Sequence, residues 1–453
     1  MNKKPLLLLL AAMLLIGLAA GCGSKSNEQG PAATPAEQGG KGNSNGENKI
    51  TLHYHSWYTA EEVKPIIEAF EAENQDIKVA YHTLMENGTS NEAMGKLDML
   101  LASGEKMDVI HFNGPEPYSS RASLGLVEPL NAYLDKEGVK YEDEYKASSA
   151  IEGNIYGLPG SYEDRFVLLN KDYLDEANLP VPTDWTWAEF QDYAKKLTKG
   201  ENENKRYGTY FHSWPDFAAL WLRNQPDNNS VVLADGTVNV NNDLVRKSLE
   251  MRYQMENVDM TAVPYSETIS QKLHYRQLYM TGKAAMIVIG NWMAAESGGT
   301  EKLPATFKTV FAPYPRNSAD DPIGYNPAAT DFMGISVKSE QKDAAYKFIR
   351  FYTTKGLDIQ GKQFSAWTKQ KLDEKIDKVL ENALTPENVD KESLLYTMTN
   401  SKAGSASIPP SYQAELDDAF KNQYELYFLK KQDLETTITN AEINLQKIVD
   451  NNK

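Results

Sequence analysis

Three kinds of side chain in this sequence could do chemistry. His53 and His55 stand at i, i+2 in Ile50-Thr51-Leu52-His53-Tyr54-His55. On an extended strand they share one face and could seed a metal site. No third ligand follows at a spacing that completes it, and no metal or cofactor is expected. The 63 acidic residues offer many carboxylate pairs of the sort that cleave glycosidic bonds, but counting them assigns none. Cys22 is the one cysteine, so neither an intrachain disulfide nor a cluster of zinc-binding thiolates is available. No GxSxG, HExxH or phosphate-binding glycine loop is present.

Charge narrows the classes further. Lys and Arg number 47 against 63 Asp and Glu, for a net charge of −16 over 453 residues. That balance argues against a sequence-independent nucleic-acid binder, which needs a basic face for phosphates. The length suits two or three domains with a full core.

The lone cysteine has a telling position. Lys3 and Lys4 precede an apolar run, Leu6 to Ala20, that suits a secretory signal better than a membrane span. The run ends Leu18-Ala19-Ala20-Gly21-Cys22, which resembles the lipobox of bacterial lipoproteins. There the cysteine carries lipid and becomes the first residue. Leucine is usual three positions before that cysteine; here the position is Ala19. Residues 1–21 are therefore expected to be a signal peptide and Cys22 a lipidated anchor. Gly23 to Lys49 holds no aliphatic residue larger than alanine and no aromatic one, so it cannot offset the entropy of ordering itself. As a flexible tether 22–49 would span about 30 Å.

At Ile50 the composition switches. Ile50–His55 alternates as a strand does. Val63, Ile66, Ile67 and Phe70 make one helical face behind a Thr59/Glu62 capping box, although Pro65 argues for a later start. Ile77, Val79 and Tyr81 alternate again. Met94, Leu97, Leu100 and Leu101 form a helix stopped at Gly104, and Asp108–Phe112 reads as a buried strand. Strand–helix–strand–helix–strand implies right-handed crossovers, a mostly parallel sheet, and a ligand beyond the strands' carboxyl ends. Those ends carry His55-Ser56-Trp57-Tyr58 and Phe112-Asn113-Gly114-Pro115-Glu116.

Three later stretches carry a resemblance. The first is Gly153-Asn154-Ile155-Tyr156-Gly157-Leu158-Pro159, with Asn170-Lys171-Asp172 and Thr186-Trp187-Ala188-Glu189-Phe190. The second is Gly282-Lys283-Ala284-Ala285-Met286 running to Gly290-Asn291-Trp292. The third is Phe332-Met333-Gly334-Ile335-Ser336-Val337-Lys338, followed by an apolar helical face at Ala344, Ala345, Phe348 and Ile349. In that order they resemble the extracellular solute-binding proteins of bacterial ABC importers, in the carbohydrate-binding group that includes maltose-binding protein. The resemblance implies a two-lobed α/β fold of the periplasmic-binding-protein type II, with a hinge crossed three times. The crossings are expected near Pro159–Tyr162, Ala285–Ile289 and Thr330–Gly334. The lobes are then 50–160 plus 287–331, and 161–286 plus 332–453.

The resemblance also implies a site and partners. A sugar in the cleft would rest its C–H faces on aromatic rings, and each buried hydroxyl needs a polar partner in place of water. By position, the expected ligand-binding residues are Trp57, Tyr58, Asn113, Glu163, Trp214, Trp292 and Asp331. Glu163 could instead pair with Arg165. Trp185, Trp187 and Trp221 look structural, and Trp367 is left open. The implied protein is a monomeric, non-enzymatic receptor on the outer face of the cell membrane, lipid-anchored, handing a carbohydrate to ABC permease subunits. The alternatives are a same-fold receptor for a peptide or polyamine, and a surface glycosidase.

Overall fold

The computed structural model describes residues 49–85, 90–403 and 408–452. The expected signal, the Cys22 anchor and all but the last residue of the tether lie outside them. The strand β1 (Ile50–Ser56) buries Leu52 and Tyr54 on one face, as the alternation requires. The following helix, Ala60–Glu73, has the Thr59/Glu62 capping box complete. It starts at Ala60 with Pro65 inside it: proline has no N–H to give the Glu61 carbonyl, while the box satisfies donors at the helix start. β2 (Ile77–Thr83) and β3 (Val109–Phe112) both run parallel to β1, and the helix Ser90–Ser103 connects them.

Two further strands complete this sheet. β4 (Gly157–Glu163) arrives after the small helices, and β9 (Ala329–Ile335) returns from far along the chain. The order is β2-β1-β3-β9-β4, with β9 antiparallel to both neighbours. A second sheet holds β5 (Arg165–Asn170), β6 (Tyr207–Tyr210), β7 (Ala284–Gly290) and β8 (Thr309–Pro313), ordered β8-β5-β7-β6. Only β6 and β7 are parallel there. In the first sheet β1, β2, β3 and β4 all run one way and β9 alone opposes them, so the expected mostly parallel sheet holds there with one antiparallel strand inserted. β9 returns from the second sheet without a strand–helix–strand crossover, so nothing imposes the common direction on it.

The pairing also redraws the expected division of the chain. All seven residues of β7 are buried, and β7 lies between β5 and β6 in the second sheet. Ala285–Ile289 is thus the core of that sheet and not a crossing, and β8 joins the same sheet although 287–331 was expected with the first. Conversely, Phe348, Ile349, Phe351 and Leu357 pack in one cluster with Leu52, Ile66 and Phe70, so this part of 332–453 covers the first sheet. The helices Gln413–Phe428 and Leu434–Asn451 instead pack with Val245 and Leu249 of the helix Asp243–Asn257. The chain passes between sheets at Asp164, between Pro313 and Ala329, and between Gln360 and Leu372. An apolar run such as Ala284-Ala285-Met286-Ile287-Val288-Ile289 reports burial but not which sheet buries it.

Among the described residues no helix is long and apolar enough to cross a membrane.

Candidate functional site

β1 and β3 run side by side in the same direction, so the residues after them emerge at one edge of the sheet. Trp57 is half-buried there, its ring 4.5 Å from His111 and 4.6 Å from Tyr58 between centroids. Tyr58 is buried, and its hydroxyl donates to Gln363 Oε1 at 2.9 Å and to Asp331 Oδ2 at 3.3 Å. Asn113, half-buried, follows β3 at the same edge.

Asp331 is engaged by protein on every side. Its Oδ1 accepts the Ser161 backbone N–H at 2.7 Å, and His111 Nε2 stands 3.1 Å from Oδ2. The side chain is only 4% exposed, so little of it is left for a ligand. Gly160 makes this packing possible, since a Cβ there would sit 2.5 Å from Asp331 Oδ1. Asp331 therefore fastens β9 to β4 next to the passage between sheets.

Glu163, the last residue of β4, lies across from Ala329. Burial raises its carboxyl from about 4.5 to about 7; Arg165 pulls it back down, and the nearby charge of Asp331 adds to the rise. The side chain keeps some exposed surface, yet the packing around it removes most of its water. Arg165 opens β5 and belongs to the second sheet. Its guanidinium lies 4.4 Å from the ring centroid of Trp292 and 5.5 Å from that of Trp214. Asp216 Oδ2 is 4.0 Å from Nη2, and Nη1 is buried without a hydrogen-bond acceptor among the described residues.

Trp292 follows β7, and its ring folds back over Gly290, where any Cβ would collide with it. The indole Nε1 donates to the Tyr275 hydroxyl at 3.2 Å. Trp214 lies at 6.1 Å from Trp292 and 5.7 Å from Tyr275, with His212 at 4.6 Å. Burial, then the charge of His274, lowers His212 to about 3, so this imidazole is neutral at pH 7. The result is a cluster of half-buried aromatic rings with one guanidinium, one carboxyl and several hydroxyls beside it. Such a surface can stack a flat apolar face and exchange hydrogen bonds at its rim.

Six of the seven expected residues fall into linked groups, and Asn113 stands just past β3 at the sheet edge that carries Trp57. Trp57, Tyr58 and Asp331 form one group, Trp214 and Trp292 another, and Glu163 couples to Tyr58 and Asp331 on one side and Arg165 on the other. Tyr275 and His111 were missed by the sequence reading; neither sits in a motif, and only the fold brings them there. Trp187 is fully buried and Trp185 donates to Pro313 O at 2.7 Å, both within the second core. Trp367 donates to Glu144 Oε2 at 2.9 Å. His53 and His55 stack with His82, at 5.2 Å and 4.4 Å between centroids. Among the described residues no three His, Cys, Asp or Glu side chains are grouped to hold a metal ion.

Comparison with known proteins adds independent findings. The family model described as bacterial extracellular solute-binding protein matches residues 56–359. A galactooligosaccharide-binding protein of Bacillus subtilis is 28% identical over 203 residues, 44% of this chain and 42% of its own. A maltooligosaccharide ABC transporter solute-binding lipoprotein of Streptococcus pneumoniae is 26% identical over 213 residues, 46% of this chain and 43% of its own. The chain spans about two fifths of the length of the curated relatives it matches. In three dimensions it is similar to an ABC substrate-binding protein of Listeria monocytogenes solved with cycloalternan. The TM-score is 0.73 at 21% identity, covering 89% of this chain and 99% of that one. The sugar-binding protein MalE of Xanthomonas citri gives 0.68 at 19% identity, covering 89% and 98%. At these identities the structural likeness shows the two-lobed fold.

Proposed function

The chain belongs to the bacterial extracellular solute-binding protein family, a family of binding proteins rather than enzymes, and from that premise we propose that it captures a carbohydrate. The ligand is an oligosaccharide held between the two sheet-centred lobes and delivered to the transmembrane subunits of an ABC importer. The observation that carries this reading is the group Arg165, Trp214, Tyr275 and Trp292, coupled through the Glu163 carboxyl to the Trp57–Tyr58 segment of the other sheet. Stacking rings and edge-on polar groups are what a sugar ring requires. The names of relatives from Bacillus subtilis and Streptococcus pneumoniae support the same substrate class.

Capture works through differential affinity. A ligand touching both lobes favours their approach only by as much as it binds the closed arrangement better than the open one. A micromolar affinity corresponds to about −8 kcal/mol, within reach of a few stacked rings and a satisfied hydroxyl network. The anchor is proposed at Cys22, on the outer face of the cell membrane, with 22–49 as the tether and the body a monomer. A thermal-shift screen over oligosaccharides, polyamines and peptides tests the substrate class, since bound ligand raises the melting temperature. Stabilisation by a non-sugar alone would overturn it.

A further inference from the structure

A second cavity lies away from the cleft, at the far edge of the second sheet beside β6. It encloses about 430 Å³, and none of its nine lining residues is acidic, whereas four are cationic: Lys199, Lys205, Arg206 and Lys283. In a chain of net charge −16 that local composition runs against the whole.

The cations are held in place. Arg206 stacks on Tyr173 at 3.8 Å from its ring centroid and donates through Nε to Leu197 O at 2.8 Å. Its Nη1 donates to Glu176 Oε2 at 2.8 Å, and Lys199 pairs with the other oxygen of the same carboxylate at the rim. Lys205 lies 4.8 Å from the Tyr207 ring centroid, and Lys283 donates to the Glu203 backbone carbonyl. Among the described residues neither Lys205 nor Lys283 has a carboxylate partner. A turn shapes one wall. Gly200 has φ +77°, and a Cβ there would meet Asn204 O at 2.6 Å, so the chain can close around this space only with glycine.

One carboxylate thus serves two of four converging cations, and the other two have donor hydrogens to spare. A compact group with several anionic oxygens matches this arrangement, because a guanidinium fork and ammonium groups can each take a separate oxygen. We propose that this cavity binds a phosphoryl group, carried by a soluble phosphate ester or by a phospholipid headgroup. The site is independent of the carbohydrate cleft. A body tethered near an anionic surface could use it to fix its orientation there.

Calorimetric titration of the full chain with pyrophosphate and with glycerol 3-phosphate at low ionic strength tests the soluble source. Co-sedimentation with phosphatidylglycerol/phosphatidylcholine vesicles, against phosphatidylcholine alone, tests the lipid source. Binding is expected to weaken as salt is added. The Lys205→Ala/Lys283→Ala double variant should bind at least about tenfold more weakly than the parent. Lys347→Ala/Lys355→Ala, two lysines far from this cavity, should bind like the parent, and all three proteins should melt alike. Binding of the soluble esters, lost in the first variant, assigns a phosphate-ester site; binding confined to phosphatidylglycerol vesicles and lost likewise assigns the lipid. Absence of binding to every probe, or an equal loss in both variants, overturns the proposal.

Discussion

The guanidinium of Arg165 lies 4.4 Å from the centre of the Trp292 ring, with the Trp214 ring 5.5 Å away. Arg165 is the first residue after the passage at Asp164, and Trp292 the second residue after β7, an inner strand of the sheet the chain enters. Any adjustment at the passage between sheets is therefore felt directly at the aromatic cluster.

Trp292→Ala should weaken binding of the oligosaccharide selected by the thermal-shift screen at least tenfold, about 1.4 kcal/mol, because a stacking face is removed. Isothermal titration measures it. Unchanged affinity would remove the central residue of the proposed cleft. Arg165→Met should also weaken binding while leaving the aromatic packing in place, since the buried Nη1 donor disappears.

Asp331→Ala should act on stability more than on affinity. It strips the acceptor from the Ser161 N–H and one acceptor from the Tyr58 hydroxyl. Leaving the Ser161 N–H buried and unpaired costs about 1–3 kcal/mol, while the Tyr58 hydroxyl keeps Gln363. Urea denaturation reads the loss. A variant as stable as the parent but unable to bind sugar would return Asp331 to the ligand.

Glu163 titrates near 7 in the folded chain against about 4.5 ordinarily. Between those values the native state holds a proton that the unfolded state has released, so stability falls as pH rises from about 4.5 to 7. Glu163→Gln carries no such proton. Its advantage over the parent should therefore grow across this window, as denaturation midpoints at several pH values will show. Parallel curves would contradict the assignment.

His55 shows the opposite slope. Burial, then the neighbouring His82 and His53, lowers it from 6.5 to about 3, with Lys96 adding to the effect. The unfolded chain takes up a proton below 6.5 that the native chain refuses, so stability should fall as pH drops toward 3. In His55→Gln that part of the acid loss should vanish. Equal acid sensitivity of the two proteins would place the effect elsewhere.

Much of this was legible in the chain. The capping box at Thr59 is formed where the spacing put it, because a cap is a contact among neighbours four residues apart or fewer. Strands β1 and β2 follow from alternation, and β3 from a short apolar run, for the same reason. Sheet membership did not follow. β7 reads as an apolar run whichever sheet encloses it, and Phe348 shows a helical face without saying what the face covers. The contacts of Trp292 with Trp214 and Arg165 lie where a motif ends. The sequence is silent where side chains meet only through the fold, as with Tyr275 on Trp292 or His111 under Trp57. Asp331 shows the limit from the other side: a carboxylate at the right position, already taken up by Ser161 and Tyr58.

The strand Ala329–Ile335 sits between Val109–Phe112 and Gly157–Glu163 in the first sheet. During synthesis, then, the earliest sheet to leave the ribosome must wait with a gap beside Val109–Phe112 until more than 160 further residues have been made. A truncated chain ending after Glu163 would expose that gap as an open, hydrogen-bond-hungry edge. The nascent amino-terminal half is thus kept from completing its sheet early.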